Sequence, residues 1–205
     1  NLKMIHELSR METTLPDDAF TFINVGGFRI EKNHELLIEA FDKIKHLNVK
    51  LLFLGKGELE EKMKEKVRLL NLGSKIFFLG FDTNPFKYLS KSDCFVLSSH
   101  FEGFPNCLLE AMACGLAVIS TDCLSGPREI LAPETNPLHI VTDSIDVVEY
   151  GILTPVNNAT HLANAMEMLV TNKKLCDEMK AKSIERASDY SIDNIIKQFK
   201  EVISN

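Results

Sequence analysis

No run of apolar residues in this chain approaches the roughly 18 needed to cross a bilayer. The opening stretch NLKMIHELSR also lacks the apolar centre of a signal peptide. A membrane-spanning or secreted protein is therefore not expected. Cysteine is sparse and unpaired in pattern: five residues, at 94, 107, 114, 123 and 176, form an odd set without a C-x-x-C pair. Four lie in apolar surroundings, which suits free buried thiols in a reducing cytoplasm and argues against zinc. Positive charge is in deficit, with 23 Lys and Arg against 29 Asp and Glu and a net charge of -6. That balance argues against a nucleic-acid partner, which wants a basic face. Repeats and low-complexity segments are missing, as are G-x-G-x-x-G and the P-loop pattern. A starting Met is missing too. Asn1 opens a modest apolar stripe at Leu2, Ile5 and Leu8, as if in mid-helix, so the chain reads as a piece of a longer protein.

What is present is a 205-residue sequence, 45% apolar and 25% charged, enough to bury a substantial core. Short apolar runs alternate with amphipathic stretches. Phe20 to Val25, Val49 to Leu54, Lys75 to Leu79, Asp93 to Leu97 and Leu116 to Ser120 read as strands. Asn33 to Leu47, Glu58 to Leu70, Pro85 to Leu89 and Pro105 to Cys114 read as the helices between them, the last with Pro at its start and Gly115 past its end. Strands that are almost continuously apolar, separated by helices, predict an α/β fold with a Rossmann-like parallel sheet covered on both faces. Further on, Leu138-Val141 and Ile152-Val156 read as strands, and roughly 159-170, 172-188 and 191-203 as a helical C-terminal tail. The expected division is 1-19 as a linker or helix, 20-170 as the Rossmann-like domain, and 171-205 as helices packing back on it.

Ligands of parallel sheets bind beyond the carboxyl ends of the strands. That rule selects the loops Gly26-Lys32, Gly55-Glu58, Gly80-Asn84, Ser98-Asn106 and Asp122-Glu129. In the stretch SHFEGFPNCLLEAMACG, Glu110 is the lone charge between Glu102 and Asp122, set among Leu108, Leu109, Ala111, Met112 and Ala113. A buried carboxylate needs a partner. The backbone N–H groups of Asn106, Cys107 and Leu108 open a helix and so offer an anion site, flanked by the carboxylates of Glu102 and Glu110. Residue types alone leave a plain structural role equally open for both acids. In Gly26-Gly27-Phe28-Arg29-Ile30-Glu31-Lys32, two glycines let the backbone approach a ligand, and Arg29 and Lys32 add cations suited to a diphosphate.

GGFRIEKNHELLIEAF, LLFLGKGELEEKM, IFFLGF, CFVLSSHFEGFPNCLLEAMACGLAVISTD and SGPREIL, in this order, resemble the donor-binding C-terminal domain of GT-B fold retaining glycosyltransferases of family 4 (glycosyltransferases group 1). The Glu-x7-Glu pattern at Glu102 and Glu110 is that family's signature. The resemblance is dense over residues 20-131 and looser in the tail.

It implies one half of a GT-B fold, with the acceptor held mainly by an absent N-terminal domain and the isolated piece inactive in transfer. Glu102 would bond hydroxyls of the donor sugar, and Glu110 the ribose. The amides around Gly103, Phe104, Asn106, Cys107 and Leu108 would hold the distal phosphate, and Lys32 would neutralise the leaving diphosphate beside Gly26 and Gly27. The loop of Phe81, Asp82, Thr83 and Asn84 would lie against the nucleobase. The implied donor is a nucleoside diphosphate sugar, UDP-linked, as co-substrate, with no cofactor. The chain has no Asp-x-Asp, the device by which other nucleotide-sugar transferases hold a divalent ion, so transfer without metal is expected. The implied acceptor is a glycan or lipid-linked, at the inner face of the membrane if the absent half docks there. Many members carry Arg where this chain has Gly27, and Arg29 is the substitute cation in this reading. The alternatives are a GT-B nucleotide-sugar epimerase, against which the Glu-x7-Glu spacing speaks, and a dinucleotide-binding Rossmann module without transferase activity. The SGPREI loop and His100 also face the expected crevice, and Glu129 is either a donor-side group or a helix cap.

Overall fold

The computed structural model describes residues 18–203. The expected N-terminal helix, and all but the end of the 1-19 segment, lie outside the described residues. Seven strands form one sheet in the order β3-β2-β1-β4-β5-β7-β6. They are β1 (Phe20–Val25), β2 (Val49–Leu54), β3 (Ile76–Gly80), β4 (Cys94–Leu97), β5 (Ala117–Thr121), β6 (Asp146–Val148) and β7 (Gly151–Thr154). All neighbours are parallel except β6, which runs antiparallel to β7 at the edge.

Helices cover both faces, as the continuous apolar strands require. On one face Phe22, Leu51, Phe53, Val96 and Ile119 pack with α1 (His34–Ile44), α2 (Glu60–Leu69) and α6 (Ala159–Thr171). On the other, Ile23, Leu52, Phe95, Leu97 and Val118 pack with α3 (Phe86–Leu89), α4 (Asn106–Ala113) and α5 (Pro127–Leu131). The residues alternate in sequence because successive strand side chains point to opposite faces. The next helix, α7 (Lys173–Asp189), gives Cys176 and Met179 to the first cluster and Ala187 to the second. The last helix, α8 (Ile192–Ile203), leaves Ile192, Ile196, Phe199, Val202 and Ile203 exposed.

Two details differ from expectation. Leu138-Val141 is not a strand: Leu138 is exposed, and the Val141 N–H donates to the Asp122 carboxylate at 2.8 Å instead of to a neighbouring strand. The edge strand is instead β6, three residues long and part-exposed, which carries too little apolar pattern to be legible.

Strand order places the site. The chain runs outward from β1 to β3, then returns to lay β4 on the opposite side of β1. The loops leaving β1 and β4 therefore diverge from adjacent strands, the crevice-forming switch of open α/β sheets.

Candidate functional site

The loop after β1 passes through Gly26 and Gly27 and closes as a 3-10 turn, Ile30–Lys32. Asn33 then takes a left-handed conformation (φ 46°, ψ 48°) and its side chain caps α1 by accepting from the Leu36 N–H. This punctuation brings Lys32 back over the strand end. Its stem lies 3.9 Å from where a Cβ on Gly26 would stand.

Its ammonium meets Glu102 across the switch, donating to Oε1 at 2.7 Å and Oε2 at 2.8 Å. The Glu102 side chain is only 8% exposed and that of Lys32 25%, so Glu102 is not a solvated loop residue. Two consecutive buried serines at the end of β4 hold the pair. Ser98 Oγ donates to the Lys32 carbonyl at 2.9 Å, and Ser99 Oγ to Glu102 Oε1 at 2.6 Å. Thr121 Oγ1 donates to the Ser99 carbonyl at 2.6 Å, and the His100 N–H to the Glu31 carbonyl at 2.8 Å. Sequence reasoning missed Ser98 and Ser99. The available signal was two hydroxyls, wholly buried, closing a strand that is otherwise CFVL.

Glu110 sits half-buried on α4, eight residues further on. Burial alone pushes its pKa up, and among the described residues no cation or donor answers it. It is not bonded to local amides. At the start of α4, Asn106 and Cys107 keep their N–H groups free of backbone acceptors. Leu108 departs from expectation: its N–H donates to the Pro105 carbonyl at 3.0 Å and its side chain is wholly buried, so it packs instead of holding an anion. Gly103 has open space above its Cα, and the exposed Phe104 leans on Tyr190 at the end of α7 (5.6 Å between rings). Burial pushes the Cys107 thiol up to about 12, which leaves it neutral and inert.

On the other side of the switch, the loops after β1 and β2 interlock by backbone. A Cβ on Gly55 would stand 1.9 Å from the Gly26 carbonyl oxygen, so only glycine closes this floor. Above it lies a cavity of about 390 Å³ lined by Gly26, Gly27, Gly55, Lys56, Phe81, Asp82 and Pro85, among others. Phe81 is exposed at its edge. Asp82 is held by Lys87 at 2.7 Å and by the Asn84 N–H at 2.8 Å, and these contacts, Lys87 first, lower its pKa. The Asp82 to Asn84 turn is thereby fixed. A second opening of about 580 Å³ is lined by Arg29, Ile30, Glu31, Lys56, Gly57 and Glu58. Arg29 is exposed there, with Nε 3.8 Å from the point a Cβ on Gly27 would occupy. It borders the space into which a side chain at position 27 would project, alongside the Lys56 carbonyl oxygen at 3.3 Å.

The Asp122 to Glu129 loop serves the frame. Glu129 accepts from the Gly126 N–H at 3.1 Å, capping α5, and so is a cap. Gly126 (φ 84°) presses on the neighbouring loop, where its Cβ would come within 2.4 Å of Pro105. Arg128 is buried and pairs with Asp122 at 2.6 Å. Among the described residues, no group of three or more His, Cys, Asp or Glu side chains is placed to hold a metal ion, and no helix is long and apolar enough to cross a membrane.

The sequence model for glycosyl transferases group 1 matches residues 6–186. An uncharacterized glycosyltransferase of Methanocaldococcus jannaschii is 40% identical over 91% of this chain and 50% of its own length. The N-acetylgalactosamine-N,N'-diacetylbacillosaminyl-diphospho-undecaprenol 4-alpha-N-acetylgalactosaminyltransferase of Campylobacter jejuni is 35% identical over 82% of this chain and 42% of its own. The crystal structure of Anabaena HepE in complex with UDP superposes with a TM-score of 0.76 at 20% identity, over 91% of this chain and 49% of that one, a likeness of fold. The chain thus spans about half the length of the curated relatives it matches.

Proposed function

Since the chain belongs to the glycosyl transferases group 1 family, we propose that it is the donor-binding half of a retaining glycosyltransferase. It transfers a hexosyl unit from a UDP-linked sugar to a glycan or lipid-linked acceptor. The observation that carries this reading is the convergence at the β1/β4 switch of Lys32, Glu102, the free amides of Asn106 and Cys107, and an unanswered Glu110. UDP in the Anabaena structure supports the choice of nucleotide. The diphospho-undecaprenol in the Campylobacter enzyme's name supports the class of acceptor.

In this reading the diphosphate lies between Lys32 and the start of α4, with Arg29 approaching from the position left open by Gly27. The bond between the anomeric carbon and the phosphate oxygen breaks as the acceptor oxygen bonds to the same face of that carbon. The acceptor proton passes to the leaving diphosphate. Positive charge develops on the sugar and negative charge on the diphosphate, and fixed cations and amides aimed at the latter stabilise the separation. Glu102, released from Lys32 by the arriving phosphate, turns to the sugar hydroxyls as a positioning group. Glu110 accepts from the ribose hydroxyls, and the base enters the slot beside Phe81. In this reading the chemistry uses no cofactor and no metal, with Lys32 and Arg29 supplying the positive charge that a divalent ion would otherwise bring to the leaving group. The acceptor, and any approach to a membrane surface, belong to the remainder of the protein.

Thermal unfolding of the chain against UDP, GDP, ADP and NAD tests the reading. UDP at about 100 times its Kd stabilises by about 2.7 kcal/mol. A response to NAD alone, or to none of the four, would refute it. For the complete enzyme, transfer abolished by EDTA would refute the metal-free chemistry.

A further inference from the structure

The slot between the ends of β1, β2 and β3 contains a cation to which neither the family resemblance nor the reading above gives a role. Two ionisable side chains line it, Lys56 and Asp82. Asp82 is engaged: it accepts from Lys87, from the Asn84 N–H and, at 3.3 Å, from the Tyr88 hydroxyl. Lys56 is exposed, and among the described residues its ammonium makes no ion pair and no hydrogen bond. Its stem is nonetheless placed. Lys56 Cε lies 3.7 Å from where a Cβ on Gly80 would stand, so the side chain runs across the bare backbone at the end of β3, beside Phe81. The remaining walls, Gly26, Gly27, Phe81 and Pro85 among them, leave a mainly apolar, half-open slot of about 390 Å³.

A lysine ammonium has three donors and no acceptor. A heteroaromatic ring lying in this slot thus meets a side-chain group that can only donate. A ring edge with a carbonyl oxygen gains a charge-assisted hydrogen bond there, and an exocyclic amine at the same place sets two donors against each other. We propose that Lys56 is a specificity-determining residue for the donor nucleotide, selecting a base that presents a carbonyl oxygen where cytosine presents an amine. This rests on the functional reading above, in which the base occupies the slot.

Calorimetric titration of the chain with UDP and CDP tests it, because the two differ only along one base edge, where uracil has a carbonyl oxygen and an adjacent N–H and cytosine an amine and an adjacent acceptor nitrogen. The unaltered chain binds UDP about tenfold more tightly than CDP. Lys56→Met brings the two affinities within about twofold by weakening UDP, and Lys56→Glu reverses the preference. Equal losses for UDP and CDP in Lys56→Met would put the ammonium on the diphosphate and overturn the proposal, as would equal affinities in the unaltered chain. Binding of neither nucleotide by the unaltered chain would defeat the functional reading itself. Because Lys56 is exposed and makes no contact that folding needs, unchanged thermal unfolding of both variants without ligand is expected.

Discussion

Two ion pairs stand at the carboxyl ends of adjacent strands, and they are built for opposite ends. Arg128 and Asp122 are 4% and 1% exposed in their side chains, and each has further partners besides the other. The guanidinium also reaches Thr135 and Asp146, and Asp122 also takes the Val141 N–H. The pair pins the irregular 133–146 segment to the sheet. Lys32 and Glu102 are tied by the bidentate contact and one serine, with the lysine side chain a quarter exposed. A fully buried pair with several further partners holds architecture, whereas a part-exposed pair beside a crevice can change partners.

The widest separation between the two comes from breaking them in turn. Arg128→Met leaves Asp122 buried and uncompensated, at a cost of about 3–5 kcal/mol in urea unfolding, with the affinity of the molecules that remain folded for UDP unchanged. Lys32→Met costs only about 1–2 kcal/mol of stability but weakens UDP binding tenfold or more. The reverse pattern would undo the assignment.

Acid separates the crevice frame from its ligand groups next. His34, 3% exposed, stacks on Phe28 with ring centroids 4.3 Å apart, and burial, then the Lys32 charge, lowers its pKa to about 4. The folded state keeps this imidazole neutral, so below the unfolded value near 6.5 the unfolded chain binds the extra proton. Stability is therefore full above about pH 6.5 and declines as pH falls towards 4, by roughly 3 kcal/mol in all. Replacing His34 with Phe should flatten that limb of the pH profile; an unchanged slope would show another group responsible.

Smaller effects sharpen the contrast between the two glutamates. Glu110→Gln keeps the fold and weakens bare UDP about tenfold, since a charged acceptor is lost. Glu102→Gln does not weaken bare UDP, since it removes the anion that competes for Lys32, and it abolishes the additional affinity a UDP-sugar has over UDP. Equal effects on bare UDP would erase the division. Smallest is Arg29→Ala, an exposed side chain, for which a loss of severalfold in UDP affinity is expected; no change would return Arg29 to the solvent.

The legibility of these features in sequence follows how local their causes are. β1 and β2 were readable to the residue and β3 to β5 within one, because strands buried on both faces must be apolar throughout. The edge strand β6 has one wet side and three residues, and the exposed Leu138 supplied a false signal nearby. Glu102, Glu110 and Lys32 were legible as a motif, but the bond between Lys32 and Glu102 spans 70 positions and exists only because β4 returns beside β1. Ser98, Ser99 and Lys56 carry ordinary side chains in ordinary loops, and only strand order gives them neighbours that matter. Leu108 shows the converse, a residue at an expected amide site whose N–H the turn at Pro105 has already taken.

In the function proposed above, the Lys32–Glu102 bond also bears on turnover. A crevice that neutralises its own charges when empty makes donor capture an exchange of one anion for another, so phosphate gains Lys32 only as carboxylate gives it up. On departure of the spent nucleotide the internal bond closes again, and its re-formation offsets part of the cost of product release. On that reading, such a site would favour rapid cycling over tight retention of the diphosphate.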